Sequence, residues 1–391
     1  MISSFQAENF RLFDKLEINR LNRVNLIVGK NNAGKTALLE ALLLFSSKMS
    51  CNVLFQILES RQEYWMPEQT HFAGQQLINP LGHLFKGHRI PALGEEGFKL
   101  SSNNRDAIHI RTGAYILEES ENRRVRRRLK PEEIERSDVL PDELYLISES
   151  DESASIVMSL EDDLADLKRS ANRWKRNNRR SAMPGLQQLD LFGDFFDFPR
   201  YQFVSARGIS DRESSDLWDG ISLTDLENEV LKGLRIIEPE LLGLTFVKID
   251  SGVKRSYQAA GRIPLVRQNK NSIPVPLKSL GDGMTRILHT VLSLVWATKG
   301  ILLIDEFENG LHWEIQEKAW RVVFELAEKL NVQVFATTHS RDCVGSFSKV
   351  WQENPNKGAF IRLTKDHDKT TVTEYDTELL ADSLEMNTEV R

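Results

Sequence analysis

Apolar residues fall along this chain in two rhythms, and their alternation predicts most of its elements. Short apolar runs at residues 24–28, 300–304 and 332–338 suit strands buried on both faces, and they run into glycine, acid and histidine respectively. Between them apolar positions recur at helical spacing: Leu38, Leu39, Leu42, Leu43 and Phe45; Leu288, Val291, Leu292, Leu294 and Val295; Ile315, Ala319, Val322, Val323, Leu326 and Ala327. Residues 2–8, 12–18 and 106–117 read as further strands, the last from Ile108, Ile110 and Ala114-Tyr115-Ile116. A hairpin is predicted over 360–375, with an acidic helix after it. Strands that feed helices place the chain in the α/β class.

The loop after the first buried run reads Gly29-Lys30-Asn31-Asn32-Ala33-Gly34-Lys35-Thr36. Its two glycines let the backbone curl, so that the N–H groups of the loop and the following helix N-terminus face phosphate oxygens. Lys35 then reaches the β and γ phosphates, and Thr36 offers its hydroxyl to Mg2+. Because a buried strand precedes this loop and a helix follows it, the match is a P-loop for ATP.

The second buried run presents Asp305 and Glu306 at its end. An acid pair there can divide two tasks, Asp305 holding the Mg2+ shell and Glu306 polarising the attacking water. The third run ends in His339, placed to hydrogen-bond a γ phosphate. Lys35, Glu306 and His339 are therefore the expected catalytic set, with Thr36 and Asp305 on the metal. Nearly the whole chain separates the two halves, so the ATPase domain is discontinuous.

Upstream of the acid strand, Ser279-Leu280-Gly281-Asp282-Gly283-Met284-Thr285-Arg286 opens a helix. On its residues alone this is either a second anion-binding element, serving the ATP of another copy, or a simple loop before a buried helix. The ordered set resembles the ABC-class ATPase heads of the SMC, RecF and OLD group: Walker A at 29–36, signature at 280–284, Walker B at 302–306 and switch histidine at His339. Asn9-Phe10-Arg11, Glu306-Phe307-Glu308-Asn309-Gly310-Leu311-His312 and the closing Thr388-Glu389-Val390-Arg391 look like the OLD-type branch. The resemblance covers roughly residues 1–45 and 200–391, including a helix after 222 with Thr224 and Glu227 at capping-box spacing.

That resemblance implies a P-loop NTPase head of ABC type: a mixed central sheet, an antiparallel β subsheet and an inserted, largely helical lobe. It implies two heads that sandwich ATP, with Gly281, Asp282 and Gly283 touching the nucleotide of the opposite copy, and Arg11 joining the nucleotide contacts. The sequence departs from the pattern in three places. Gly281 stands where the signature serine usually is, the loop 309–312 lacks the usual aspartate, and no glutamine is fixed as that of the Q-loop, Gln75, Gln76 and Gln202 being candidates. Slow turnover is the expectation.

The expected domains are a head from 1–117 and 200–391, its signature-bearing part at 222–299, and a charged helical arm at 118–199. Arg123, Arg124, Arg126, Arg127, Arg128 and Lys130 form one basic cluster; Lys168, Arg169, Arg173, Lys175, Arg176, Arg179 and Arg180 form another around Trp174. Acids such as Glu132, Glu133, Glu143, Glu149 and Asp162 lie between them. Either the bases contact nucleic acid, or they are solvated faces paired with those acids, and the acids favour the second reading. Phe192, Phe195, Phe196 and Phe198 read as core or as a partner anchor, core being favoured.

Composition narrows the classes. The net charge of -6 gives no general attraction to nucleic acid. Apolar runs fall short of the ~20 residues of a membrane helix, no signal peptide is visible, and Cys51 and Cys343 lack metal-ligand spacing, so a cytoplasmic protein is expected. No segment after His339 looks like the Toprim nuclease of OLD proteins. The resemblance therefore implies an ATPase working with a separately encoded effector, such as a Toprim or HNH nuclease, in bacterial anti-phage systems like PARIS or Septu. A RecF-like DNA-binding repair ATPase and a nucleotide-gated scaffold are the alternatives.

Overall fold

The computed structural model describes residues 1–63, 79–103, 106–120, 123–135, 140–150, 154–160, 200–248, 262–268, 273–367, 369–386 and 388–390. Strands β1 (Phe5–Phe10) and β2 (Phe13–Ile18) lead into β3 (Val24–Gly29), then helices α1 (Lys35–Ser46) and α2 (Cys51–Ser60). Next come β4 (Phe98–Ser102), β5 (Asp106–Ser120), β6 (Arg123–Arg128), α3 (Pro131–Glu135), β7 (Glu143–Glu149), β8 (Ala154–Ser159) and β9 (Tyr201–Val204). Helices α4 (Asp211–Ile221) and α5 (Asp225–Ile237) precede β10 (Gly243–Lys248), β11 (Arg262–Arg267), β12 (Val275–Pro276) and α6 (Asp282–Trp296). The chain continues through β13 (Ile301–Ile304), α7 (Trp313–Lys329), β14 (Gln333–Thr338), α8 (Arg341–Glu353), β15 (Gly358–Asp366), β16 (Lys369–Tyr375) and α9 (Thr377–Glu385).

The central sheet runs β16-β15-β3-β14-β13-β9, parallel except where β16 turns back along β15. A second, antiparallel sheet runs β2-β1-β4-β5-β7-β8, with β6 also paired to β5, and β10-β11-β12 form a small third sheet. The expected mixed central sheet and antiparallel subsheet are both present.

Period-two alternation explains the layering. Ile27, Ile301, Leu303 and Phe335 pack in one core with α1, α2 and the antiparallel sheet. Their neighbours Leu26, Val28, Leu302, Ile304, Val334 and Ala336 face the other way, into a core shared with α4 to α8. Strands buried on both faces show the continuous apolar runs seen in the sequence. Helix α1 is buried on nearly all sides, from Ala37 through Leu44, because it lies between the two sheets. The predicted helix with a capping box is α5: Thr224 Oγ1 accepts from the Leu226 N–H at 3.3 Å, while Glu227 reaches one residue further back, to the Leu223 N–H at 2.7 Å.

The described residues between 123 and 159 differ from the expected helical arm, since apart from the short α3 their regular elements are β6, β7 and β8 of the antiparallel sheet. The charge blocks that looked like helical faces pair across strands. Arg126 meets Glu143 at 2.6 Å, Arg127 meets Glu118 at 2.6 Å and Glu133 at 2.9 Å, and Arg128 meets Glu149. Arg126 also lies over the Tyr145 ring. The second basic cluster, Trp174, the phenylalanines at 192–198, Gln75 and Gln76 lie outside the described residues.

Candidate nucleotide site

The site gathers at the carboxyl ends of β3, β13 and β14, adjacent parallel strands in register. Gly29 leaves β3 so close to β15 that a Cβ would sit 2.6 Å from the Leu363 carbonyl oxygen. Gly34 caps α1 in the left-handed region, with φ 103°, and a Cβ there would meet the Phe13 ring at 2.7 Å. The P-loop glycines are thus required both by conformation and by space. Lys30, Asn31 and Asn32 are exposed at the turn, Asn32 with φ 64°, while Ala33 is buried beneath it.

Lys35 Nζ donates to the Gly29 carbonyl at 2.6 Å and lies near that of Lys30 at 3.3 Å. Burial lowers its pKa, and Asp305, Glu306 and Glu308 oppose that shift. Thr36 Oγ1 donates to Asp305 Oδ2 at 3.1 Å. The other Asp305 oxygen accepts from Thr337 Oγ1 at 2.6 Å, and the same hydroxyl accepts the Glu306 N–H at 2.9 Å. Thr337 therefore joins both acids to β14, a role that the sequence pattern left unassigned.

Glu306 has φ 49°, a left-handed conformation uncommon for a residue with a side chain. Three contacts define it besides its N–H bond: Asn309 Nδ2 donates to its Oε2 at 2.9 Å, the Asn309 N–H donates to its carbonyl at 3.0 Å, and Arg286 donates to that carbonyl at 2.8 Å. His339 Nδ1 lies 3.8 Å from Glu306 Oε1 and 3.1 Å from Glu308 Oε1. Glu308 is buried, and the same oxygen accepts the N–H groups of His339 and Ser340 at 3.0 and 3.1 Å. This third carboxylate, unassigned in the sequence reading, anchors the loop that presents the histidine.

Gly281 and Asp282 are exposed at the start of α6. Gly281 adopts φ 101° and ψ 158°, a region open essentially to glycine alone, which gives a physical reason why serine does not stand there. Gly283 packs against the loop after the acids, where a Cβ would lie 3.1 Å from the Gly310 carbonyl oxygen.

Arg11 is placed differently from the expectation. It is buried, its Nε lies 2.7 Å from Glu40 of α1, and its NH1 and NH2 donate to both oxygens of Glu63 at 2.7 and 3.0 Å. Arg61 meets the other Glu40 oxygen at 2.5 Å. The guanidinium is committed to carboxylates beneath the P-loop helix. Gln202 sits within β9, opposite Leu302.

Comparison with known proteins agrees with this geometry. Residues 1–171 match the family described as an AAA ATPase domain, a match that runs past residue 117 into the expected insert. Residues 266–342, which hold the signature turn, both acids and His339, match the family described as "AAA domain, putative AbiEii toxin, Type IV TA system". An ATP/GTP phosphatase of Helicobacter pylori is 22% identical over 361 residues, covering 90% of this chain and 89% of that protein. The uncharacterized protein MJECL10 of Methanocaldococcus jannaschii is 42% identical over 59 residues, 15% of this chain and 27% of its own length. Among solved structures, an SMC head bound to the C-terminal winged-helix domain of ScpA aligns with TM-score 0.48 and 10% identity, covering 97% of this chain and 99% of that one. The SMC head domain of Thermotoga maritima aligns with TM-score 0.43 and 12% identity, covering 96% and 99%. The two family matches, over residues 1–171 and 266–342, are both to domains described as AAA, and together they hold the glycine loop, both acids and His339.

Proposed function

We propose that this protein is a Mg2+-dependent ATPase that dimerises around ATP and controls a separately encoded effector, a nuclease, in anti-phage defence. The observation that carries the hydrolytic reading is the convergence on Asp305 of Thr36 from the P-loop helix and Thr337 from β14, with Glu306 and His339 beside it. A hydroxyl and a carboxylate 3.1 Å apart are hard oxygen donors that suit Mg2+. Among the described residues no group of three or more His, Cys, Asp or Glu side chains is disposed to hold a metal, which fits an ion whose other ligands are phosphate oxygens and water.

With the nucleotide in place, Lys35 and the loop N–H groups neutralise phosphate charge, Glu306 orients the attacking water and His339 contacts the γ phosphate. The signature turn, exposed at Gly281 and Asp282 with Gly283 half-buried behind them, supports completion of the site by a second copy. The defence role draws its support from the family description that names a putative toxin and from the OLD-like phrase at 306–312. The RecF-like alternative loses support at the first basic cluster, since Arg126, Arg127 and Arg128 are paired with acids. Among the described residues no helix is long and apolar enough to cross a membrane.

Glu306→Gln tests this reading. The variant should bind ATP, release no phosphate and accumulate as a dimer with ATP and Mg2+ in light-scattering chromatography. Turnover at the wild-type rate would remove Glu306 from its role. Lys35→Ala should lose nucleotide affinity itself. The effector arm is tested by co-expressing the product of the adjacent gene and asking whether Glu306→Gln retains it in the presence of ATP.

A further inference from the structure

Arg286 lies one turn into α6, buried, and its whole forked end is turned onto main chain. NH1 donates to the Ser205 carbonyl at 2.7 Å, and NH2 donates to the carbonyls of Asp305 and Glu306, both at 2.8 Å. These three oxygens lie just past the ends of β9 and β13, paired parallel strands of which β13 carries the acids. A guanidinium is the one side chain whose planar fork can span two strand ends at once. Burial lowers its pKa to about 10, so it stays charged near neutral pH.

Two further contacts make this a connection from the signature turn and more than a local brace. The backbones of Gly283 and Gly310 approach so closely that a Cβ on Gly283 would sit 3.1 Å from the Gly310 oxygen. Glu306, whose φ of 49° needs support from outside, has its carbonyl held by Arg286 on one side and by the Asn309 N–H on the other. A shift in the first turn of α6 therefore reaches the main chain of Glu306, from which the water-orienting carboxylate projects.

We infer that Arg286 is a positioning residue that couples the signature turn to Asp305 and Glu306 of the same chain, so that nucleotide from a second copy, seated on the turn, sets the acids for hydrolysis. The inference rests on the proposed ATP-bridged dimer. It assigns the chain a device for firing two sites together: each signature turn that closes on a neighbour's nucleotide also completes its own acids.

The test compares wild type, Arg286→Lys and Arg286→Met by steady-state phosphate release and by equilibrium binding of a fluorescent ATP analogue. Lysine keeps the charge but cannot span Ser205 and the acids. We expect wild type to respond sigmoidally to ATP, and Arg286→Lys to lose that sigmoidicity, with kcat down at least ~10-fold and nucleotide affinity within about threefold. Unchanged kcat and cooperativity in Arg286→Lys, a hyperbolic wild type, or a joint loss of affinity, kcat and melting temperature would each overturn it. If Arg286→Met does not fold, the lysine variant decides. The dimer reading fails separately: it falls if Glu306→Gln stays monomeric with ATP, whereas a dimer with wild-type behaviour in Arg286→Lys removes only the coupling.

Discussion

Thr36 Oγ1 lies 3.1 Å from Asp305 Oδ2, although 269 positions separate them in the chain. One residue lies in the first turn of the P-loop helix, the other follows β13, and β14 lies between β13 and β3, the strand that leads into that helix. The strand between supplies Thr337, whose hydroxyl donates to the remaining Asp305 oxygen at 2.6 Å. Both carboxylate oxygens are thereby oriented before any nucleotide chemistry begins.

Thr337→Val tests that orientation at constant shape. It removes the donor to Asp305 and the acceptor for the Glu306 N–H. We expect kcat to fall roughly 10- to 100-fold, as for other groups that orient a metal ligand, with ATP affinity little changed. Single-turnover hydrolysis beside equilibrium binding separates the two effects; equal losses in both would point to collapse of the loop.

Gly34→Ala strains the P-loop twice, through φ 103° and through a Cβ 2.7 Å from the Phe13 ring. A destabilisation of about 1–3 kcal/mol is expected from the backbone conformation alone. Denaturant unfolding measures it, and nucleotide affinity should fall with it because the N–H groups of the loop are displaced. A fully stable variant with normal affinity would show that the loop tolerates another path.

The long elements and the ends of the buried strands were legible because their signals are local. Gly29, Asp305, Glu306 and His339 stand at or just past the ends of buried strands that periodicity finds, and Gly34, Lys35 and Thr36 open the helix after the first of them within a recognisable glycine-lysine motif. Thr337, Glu308 and Arg286 were hidden, since each acts on a partner about 20 to 32 positions away, and nothing in the local pattern marks a threonine in an apolar run or an arginine at a helix start. The ion pairs of Arg11 were hidden for the same reason. Its partners Glu40 and Glu63 are distant in sequence, and only packing under α1 brings them together. The charge-rich stretch from 123 to 149 misled because ion pairs across strands leave no helical period to detect.

Gly281→Ser asks whether the missing signature hydroxyl can be restored. A side chain there would enter open space among the described residues, so bulk is tolerated, yet φ 101° with ψ 158° is not. The first turn of α6 would have to rearrange. We expect ATP hydrolysis to fall, because that turn also carries Gly283 and Arg286. Hydrolysis raised above wild type would instead mean that the turn adopts a serine-compatible form at low cost.

Arg11→Ala separates a structural role from a nucleotide contact. It leaves Glu40 buried in α1 with Arg61 as its remaining close cation, and breaking a buried pair in this way costs about 3–5 kcal/mol. Burial holds the Glu40 pKa above its usual range even with Arg11 and Arg61 beside it. Because the folded state binds this proton more readily than the unfolded state, the Glu40 contribution to stability is greatest at low pH and is lost as pH rises through the raised folded value. Removing Arg11 raises that value further. The loss of stability should therefore be larger at neutral pH than in mild acid, measured as the difference in unfolding free energy from wild type at each pH. Titration of ATP into folded variant should give near-normal affinity; a stable variant with weakened binding would return Arg11 to the nucleotide site.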